Sequence, residues 1–340
     1  MVTLAASARA DVFNMGGGQT SISLVPVGNP GNVADSATHS GMGGSTSPGT
    51  GAGEVDYNYS IDKYDVTLAQ YTQFLNAVAL TDTYGLYNSY MSTDYSTQGI
   101  NRSGGPGSYS YSVTGSNPQA ANCPAFDVTW FDAARFSNWL QNGQGTATTV
   151  GQAFALTETG AYTLNGDTTS GTESRNANAK YFIPSENEWY KAAYYNPSSG
   201  TYSTYATQSN IAPSNSLVLV PNDANYSAAP SYNYTDPTNR LTPVGYFSTS
   251  PSYYGTFDQS GDVYQWNDAI FSGSFRFLRG GFWNDSSSYL ASSYRDTDYP
   301  TNESDGFIGF RVASVPEPGS LTLLLACAVG FGIWRLRRNA

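Results

Sequence analysis

Apolar positions recur at helical spacing in three stretches of the chain, and each stretch begins with the same local signal. The stretches are VTLAQYTQFLNAVA, VTWFDAARFSNWL and IPSENEWYKAAYYNP. In each, a Thr or Ser hydroxyl can accept from the third following amide, while the side chain at that third position reaches back to the first N–H. The pairs are Thr67–Gln70, Thr129–Asp132 and Ser185–Glu188. These reciprocal bonds predict three helix starts.

Short alternating or apolar runs predict a few strands separated by long polar connections. The runs are SISLVPV, VDYNYSI, KYFIP, FRFLRGG and GFIGFRVA. The connections cover residues 82–120, 141–178 and 197–240, and loops this long in a compact domain are usually functional or held by a metal ion. We therefore predict one α+β domain over residues 21–314, with little regular structure.

Charge and composition exclude one class of partner. Charged residues make up 12% of the 340 residues, and the net charge is −11. The average soluble protein has about 25% charged residues, so short polar residues and glycine replace them here. Because an acidic surface cannot neutralise phosphates, no nucleic-acid partner is expected.

Cysteine and histidine are too scarce for several common kinds of site. The chain has two Cys, Cys123 and Cys327, and one His, His39. Cys327 lies in an apolar C-terminal run, so no disulfide within the domain is expected. A histidine metal centre and a Ser–His nucleophile pair are equally unsupported.

Both ends of the chain resemble sorting signals for export. Residues 1–10 end in Ala8-Arg9-Ala10, a small-x-small pattern typical of a signal-peptidase site. The apolar part before it is too short for a complete signal peptide. We interpret residues 1–10 as the remnant of a signal peptide whose start lies upstream, with an ordinary N-terminal tail as the alternative.

Residues 315–340 carry a more specific pattern. Pro316-Glu317-Pro318 precedes an apolar run over residues 321–334, and three Arg follow it. The run spans 14 positions, about 21 Å of helix, which is short of a bilayer core of roughly 30 Å. The order nevertheless resembles the PEP-CTERM sorting signal of Gram-negative bacteria. That resemblance implies export, one C-terminal transmembrane helix as a transient inner-membrane anchor, an exosortase-type processing partner, and a cell-surface or extracellular location.

Six motifs between the ends resemble one family in content and order. They are YSIDKYDVTLAQYTQFLNAV, FDVTWFDAARFSNWL, YFIPSENEWYKAA, GTFDQSGDVYQWNDA, FLRGGFW and GFIGFRVA. Together they resemble formylglycine-generating enzyme, or sulfatase-modifying factor, domains. The resemblance implies an irregular α+β fold related to the C-type lectin fold and stabilised by calcium. Enzymes of the family oxidise a sulfatase cysteine to formylglycine with two cysteines that bind copper(I).

The positions of those two cysteines are occupied by other residues. Counted from the FLRGGFW motif, they fall on Asp285 and Leu290, and a cleft serine of the family is Phe282. Copper(I) requires soft thiolate ligands, so formylglycine formation and bound copper are not expected. A second branch of the family uses non-haem iron held by a histidine cluster. His39 alone cannot supply that cluster, so iron is not expected either.

The family's calcium positions are better preserved. By resemblance, the first site consists of Asn225, Tyr226, Asp236 and Thr238, and the second of Asp258, Gly261, Val263 and Gln265. Oxygen ligands from separate loops suit Ca²⁺. The family has Glu where this chain has Gln265, so the second site is expected to be weaker. Turn formation by Asn and Asp without an ion is the alternative for both.

The segment after FLRGG also keeps residues that suit ligand contact. The candidates are Trp283, Asn284, Asp285, Tyr289, Tyr294 and Arg295. Planar aromatic and polar side chains together suit sugars or peptides, although they are also common core residues. Arg311 is expected to be structural, bonding loop carbonyls.

Three functional hypotheses remain. The first is a non-catalytic binding module for an extracellular polysaccharide or protein. The second is an enzyme with a reassigned site at Asp285, Tyr289 and Arg295. The third is a structural role without a ligand.

Overall fold

Four α-helices lie within the residues that the computed structural model describes, which are 21–36, 51–95, 97–228, 233–302 and 307–315. They are α1 (Leu68–Val78), α2 (Trp130–Gln141), α3 (Val150–Thr157) and α4 (Glu186–Tyr194). The predicted capping boxes at Thr67, Thr129 and Ser185 are confirmed, with both reciprocal hydrogen bonds formed at each. Local hydrogen bonding therefore determines where these three helices begin.

The strands are short and form two four-stranded sheets and three hairpin-like pairs. In chain order they are β1 (Leu24–Val27), β2 (Tyr59–Asp62), β3 (Gly99–Ser103), β4 (Ser110–Thr114), β5 (Tyr181–Phe182), β6 (Tyr195–Asn196), β7 (Thr201–Tyr202), β8 (Ser227–Ala228), β9 (Asn233–Tyr234), β10 (Tyr264–Ile270), β11 (Arg276–Arg279), β12 (Asp296–Asp298), β13 (Ile308–Gly309) and β14 (Ala313–Ser314). The mixed α+β class is confirmed.

The order of the strands brings distant parts of the chain together. One sheet runs β1-β2-β14-β5, so β14 lies between β2 and β5, with Ala313 opposite both Ile61 and Phe182. The other runs β12-β11-β10-β13. There Gln265 of β10 lies opposite Arg279 on one side and Gly309 on the other. Residues of the FLRGGFW and GFIGFRVA motifs are therefore adjacent across β10.

An aromatic core joins the first two helices to the strand region. The Phe74 ring of α1 lies 5.3 Å from that of Phe136 in α2, and Phe136 lies 5.2 Å from Phe310. All three are buried. Tyr71, on the predicted apolar face of α1, joins the same cluster. Contacts of this kind add about 0.5–1.5 kcal/mol each beyond the burial of area.

Parts of the predicted connections are regular structure. Residues 82–120 contain the β3–β4 hairpin, residues 141–178 contain α3, and residues 197–240 contain β7, β8 and β9. The longest strand, β10, was not predicted. These polar connections therefore contain short strands and one helix beyond the predicted elements, because most of the residues of β3, β4 and α3 are at least partly exposed and leave a weak apolar pattern.

The terminal predictions lie outside the described residues. These are the signal-peptide remnant, the Pro316-Glu317-Pro318 motif and the C-terminal transmembrane helix. Within the described ranges, none of the helices combines the length and the apolar character needed to cross a bilayer.

Candidate functional site

Two glycines shape the segment that holds the candidate cleft. Gly280 and Gly281 follow β11 with φ of 102° and 70°, a region that favours glycine. A Cβ on Gly281 would lie 2.8 Å from Cδ1 of Leu290. The absence of a side chain therefore lets the short 3-10 turn Ser287–Leu290 pack directly against the end of β11.

Leu290, at the predicted position of the second family cysteine, is part of a hydrophobic cluster. It is fully buried and packs with Tyr205, Ala224, Tyr226 and Ala291. Its backbone carbonyl accepts from the Tyr194 hydroxyl at 3.3 Å. The side chain is alkyl and enclosed, so this position contributes packing.

Asp285, at the predicted position of the first family cysteine, is partly buried and accepts two hydrogen bonds. Its Oδ2 accepts from the Phe282 N–H at 3.3 Å, and the Tyr264 hydroxyl hydrogen-bonds to its carboxyl group. Burial raises the pKa of Asp285 to about 7, against the lowering effect of the Tyr264 bond, and nearby Asp296 raises it further. This carboxyl group can change its protonation state near neutral pH.

A second carboxyl group lies close enough to Asp285 to interact with it electrostatically. Tyr294 donates to Oδ2 of Asp296 at 3.2 Å, and burial raises the pKa of Asp296. We call Tyr264, Asp285, Tyr294 and Asp296 the acid–tyrosine cluster. The sequence reasoning missed Tyr264 and Asp296, which lie on β10 and β12. Their proximity depends on the order of the strands, which no local sequence pattern indicates.

Tyr289 and Asn284 are the candidates nearest to the surface. Asn284 is exposed and Tyr289 is partly buried. The Tyr289 ring lies 4.6 Å from the Tyr294 ring. These three side chains could contact a ligand beside the acid–tyrosine cluster.

Trp283 supports the segment from within the fold. It is 9% exposed. Its indole Nε1 donates to the Tyr95 hydroxyl at 2.7 Å, and its ring lies 5.1 Å from that of Tyr234. The polar edge and the ring are thus both engaged by protein groups.

Arg295 is also engaged inside the fold. Its Nη1 donates to both carboxylate oxygens of Glu186, at 3.1 and 3.2 Å, and Arg279 donates to the same carboxylate at 2.5 Å. Burial alone would raise the pKa of Glu186. The positive charges of Arg279 and Arg295 outweigh burial and lower this pKa. The ion pairs connect β11 and the segment after it to the start of α4. Arg295 therefore stabilises the contact between these elements.

In the first predicted calcium set, Asn225 has a side-chain oxygen without a hydrogen-bond partner in the described part of the chain, whereas both carboxylate oxygens of Asp236 accept hydrogen bonds. Asn225 donates through Nδ2 to the Arg240 carbonyl at 2.7 Å and to Asp262 Oδ1 at 2.8 Å. Its Oδ1 is buried and has no hydrogen-bond partner within the described ranges. Asp236 Oδ1 accepts from the Thr238 N–H at 2.9 Å. An unpaired amide oxygen suits Ca²⁺, but the Tyr226 carbonyl of the same set already accepts from the N–H and the hydroxyl of Thr235.

In the second predicted calcium set, the Gln265 side chain is not free to bind an ion. Gln265 Oε1 accepts from Trp189 Nε1 and from Arg311 Nε, both at 2.6 Å. Its Nε2 donates to the Asp258 carbonyl at 2.9 Å. Both acceptor positions of the amide oxygen are therefore used. Gly261 and Val263 continue this loop into β10, and Gly261 forms an isolated bridge with Asn225.

The predicted structural role of Arg311 is confirmed. It is fully buried, and its Nη1 and Nη2 each donate at 2.9 Å, to the carbonyls of Asp62 and Phe257 respectively. Nη2 also pairs with Asp65 at 3.1 Å. Within the described part of the chain, no group of three or more His, Cys, Asp or Glu side chains is placed to hold a metal ion.

Comparison with known proteins gives one family and several distant relatives. The family model described as "Sulfatase-modifying factor enzyme 1-like domain" matches residues 30–315. Hercynine oxygenase of Mycolicibacterium smegmatis is 27% identical over 154 residues, which is 38% of this chain and 32% of that protein. Hercynine oxygenase of Mycobacterium tuberculosis is 27% identical over 150 residues, with the same two shares. The chain thus matches about a third of the length of these curated relatives.

Two solved structures share the fold. The crystal structure of CarF has a TM-score of 0.53 at 19% identity and covers 87% of this chain and 99% of its own. Treponema denticola variable protein 1 has a TM-score of 0.52 at 20% identity, covering 88% of this chain and 97% of its own. At these identities the likeness concerns the fold alone.

Proposed function

The chain belongs to the sulfatase-modifying factor enzyme 1-like domain family, and we propose that it is a member without formylglycine-generating activity. In this proposal it is an exported, calcium-stabilised module that binds a polysaccharide or a protein at the cell surface or in the extracellular matrix. Export, membrane anchoring and exosortase processing are proposed from the C-terminal motif alone. No nucleic-acid partner is proposed for so acidic a chain.

The observation that carries the proposal is the chemistry at the two family cysteine positions. Asp285 offers a carboxyl group and Leu290 an enclosed alkyl group, and neither is a ligand that copper(I) prefers. Cys123 is buried, and burial raises the pKa of its thiol, which disfavours the thiolate. With His39 as its one histidine, the chain is proposed to use neither copper nor iron.

The surface around the acid–tyrosine cluster is the proposed binding site. Asn284 supplies an exposed amide, and the paired rings of Tyr289 and Tyr294 supply apolar faces with polar ends. Such a combination can stack against a sugar or peptide group and satisfy its polar atoms. Trp283 and Arg295 act beneath this surface by positioning it. Calcium at Asn225 and Asp236 would hold the loop between them.

Retention on extracellular matrix tests this proposal. The full chain is passed over matrix from the producing organism with calcium and then with chelator. We expect retention with calcium that falls on chelation and in the double variant Asn284→Ala/Tyr289→Ala. Tyr90→Ala, at a 50% exposed tyrosine elsewhere, is the matched control. Equal retention of wild type and double variant would refute this binding site.

An enzyme with a reassigned site is the second candidate function. The observation that favours it is a pair of partly buried carboxyl groups with raised pKa values, Asp285 and Asp296. Such pairs perform acid–base hydrolysis in other proteins. Release of a chromophore from aryl glycosides, with a pH profile that Asp285→Asn abolishes, would support this candidate. No turnover above that of the variant would eliminate it for those substrates.

A further inference from the structure

A cavity of about 380 Å³ lies at the end of β2, and none of the four residues of the acid–tyrosine cluster lines it. Its volume falls within the range of roughly 300–1,000 Å³ that is typical of sites for small molecules. The walls come from residues 21–23, 62–70, 122 and 243–244. The cavity is therefore a space between distant parts of the chain.

Backbone hydrogen bonds hold the walls of this cavity in place. The Lys63 N–H donates to the Ser23 carbonyl at 2.7 Å, and the Val244 N–H donates to the Asn122 carbonyl at 2.8 Å. On the α1 side, the wall includes the capping box of that helix. A site that is already formed loses little freedom when a ligand binds.

Two buried carboxyl groups in the lining each have an unpaired oxygen. Asp62 and Asp65 are 2% and 1% exposed, and Oδ2 of each is buried without a hydrogen-bond partner among the described residues. Oδ1 of Asp65 pairs with Arg311 Nη2 at 3.1 Å. Arg311 is not among the described residues that line the cavity, so it holds Asp65 from the opposite side. Unpaired buried carboxylate oxygens are costly.

The charges around Asp65 are predominantly negative. Arg311 provides the opposing charge, while three further carboxyl groups interact with Asp65 electrostatically, those of Asp62, Asp258 and Asp262. Burial raises the pKa values of Asp62 and Asp65 well above their usual range, although Arg311 lowers both. A cationic group in the cavity would favour the ionised carboxylates.

One wall of the cavity is apolar and consists of Tyr64, Pro243 and Val244. The Tyr64 ring stacks on that of Phe257, with 5.6 Å between the ring centres. The Lys63 ammonium group lies over both rings, 5.3 Å from each centre. The charge of Lys63 is thus directed to the aromatic pair, and the apolar wall suits a hydrocarbon group.

We propose that this cavity binds a small aliphatic amine, with its ammonium group at the Asp62 and Asp65 carboxyl groups and its hydrocarbon chain along the apolar wall. A primary ammonium group has three donors and no acceptor, which complements oxygens that lack donors. A metal ion would gain nothing from the apolar wall and requires about six or more oxygen ligands. The site is separate from the surface proposed to bind matrix.

Titration with n-butylammonium chloride tests the proposal. Binding to the full-length protein is followed by ligand-observed NMR at constant ionic strength, with n-butanol as the uncharged ligand of equal chain length. We expect saturable binding of the amine and binding of the alcohol that is at least about tenfold weaker. Asp62→Asn should weaken amine binding by about tenfold or more. Asp56→Asn, at an exposed position, is the charge control and should bind as wild type does.

Each alternative result overturns the proposal. Equal affinity for the amine and the alcohol would show an apolar cavity only, and the absence of saturable amine binding would show no site. Unchanged affinity in folded Asp62→Asn would remove the role of the carboxyl groups. Should circular dichroism show that Asp62→Asn does not fold, Val244→Phe replaces it, because it narrows the cavity without changing a charge. Affinity about tenfold weaker then supports the site, and unchanged affinity contradicts it. Matrix retention does not bear on these results.

Discussion

Asp285 illustrates how the residue type at one position changes the chemistry available to a family fold. Its position would hold a thiolate in the family's enzymes, by resemblance. Here it is a carboxyl group bonded to Tyr264 and the Phe282 N–H. That this position offers no thiolate is predictable from sequence, because it depends on residue type alone. The raised pKa is not, because it arises from burial and from Asp296 on another strand.

The protonation of Asp285 should appear in the pH dependence of stability. Burial raises its pKa to about 7, above roughly 4 in an unfolded chain. Its stabilising contribution is therefore complete below about pH 4 and is lost as the pH rises through about 7. The Asp285→Asn variant does not show this loss. The difference in free energy of unfolding, variant minus wild type, should therefore increase as the pH rises from about 4 to 8.

Urea unfolding of both proteins across that pH range measures the effect. Buried carboxyl groups that do not interact with Asp285 titrate in both proteins and cancel in the difference, whereas Asp296 interacts with it and contributes to the difference. A difference that stays constant from acid to neutral pH would contradict the assigned protonation of Asp285. Asp56→Asn, which removes an exposed carboxylate, controls for overall charge.

At the level of elements, helix starts were more predictable than strand positions. Each capping box involves residues three apart, so the sequence contains the whole signal. α3 was missed although Thr149 accepts from the Gln152 N–H at 3.3 Å. Few of its residues are buried, so its apolar pattern was weak. β10 was missed; it pairs with β11, which follows shortly after it, and with β13, which lies much later in the chain.

The capping boxes should matter most where the helix is buried. Thr129→Ala should lower the free energy of unfolding by about 1–2 kcal/mol, because the Asp132 N–H then loses its partner at the start of buried α2. Thr149→Ala is the matched change at an exposed cap and should cost about 0.5–1 kcal/mol. Denaturant unfolding ranks the two, and an equal or reversed order would contradict the account.

For the whole molecule, buried arginines connect the irregular loops. Arg135, Arg276, Arg279 and Arg311 are all fully buried, in a chain with 15 Lys and Arg in total. Each donates to a backbone carbonyl, in the order given those of Asp167, Asp268, Ser292 and Asp62. A fold with short strands thereby satisfies its loop carbonyls. The sequence revealed this only at Arg311, where an arginine interrupts an apolar run.

Arg311 should therefore be critical for folding. Arg311→Met leaves the Asp65 carboxylate buried without its cation, and it should lower the free energy of unfolding by about 3–5 kcal/mol. Arg102→Met removes a partly exposed pair with Asp82 and should cost about 1 kcal/mol or less. Thermal and denaturant unfolding measure both, and similar costs for the two variants would refute the bracing role of Arg311.

The most direct test of the central claim is an activity assay for the family's reaction. Full-length protein is incubated with copper(I), oxygen and a peptide that carries a sulfatase-type cysteine, and the product is followed by mass spectrometry. We predict unchanged peptide, at the level of a control without protein, because Asp285 and Leu290 supply no thiolate. Conversion of the cysteine to formylglycine by wild type, but not by Asp285→Ala, would contradict the account.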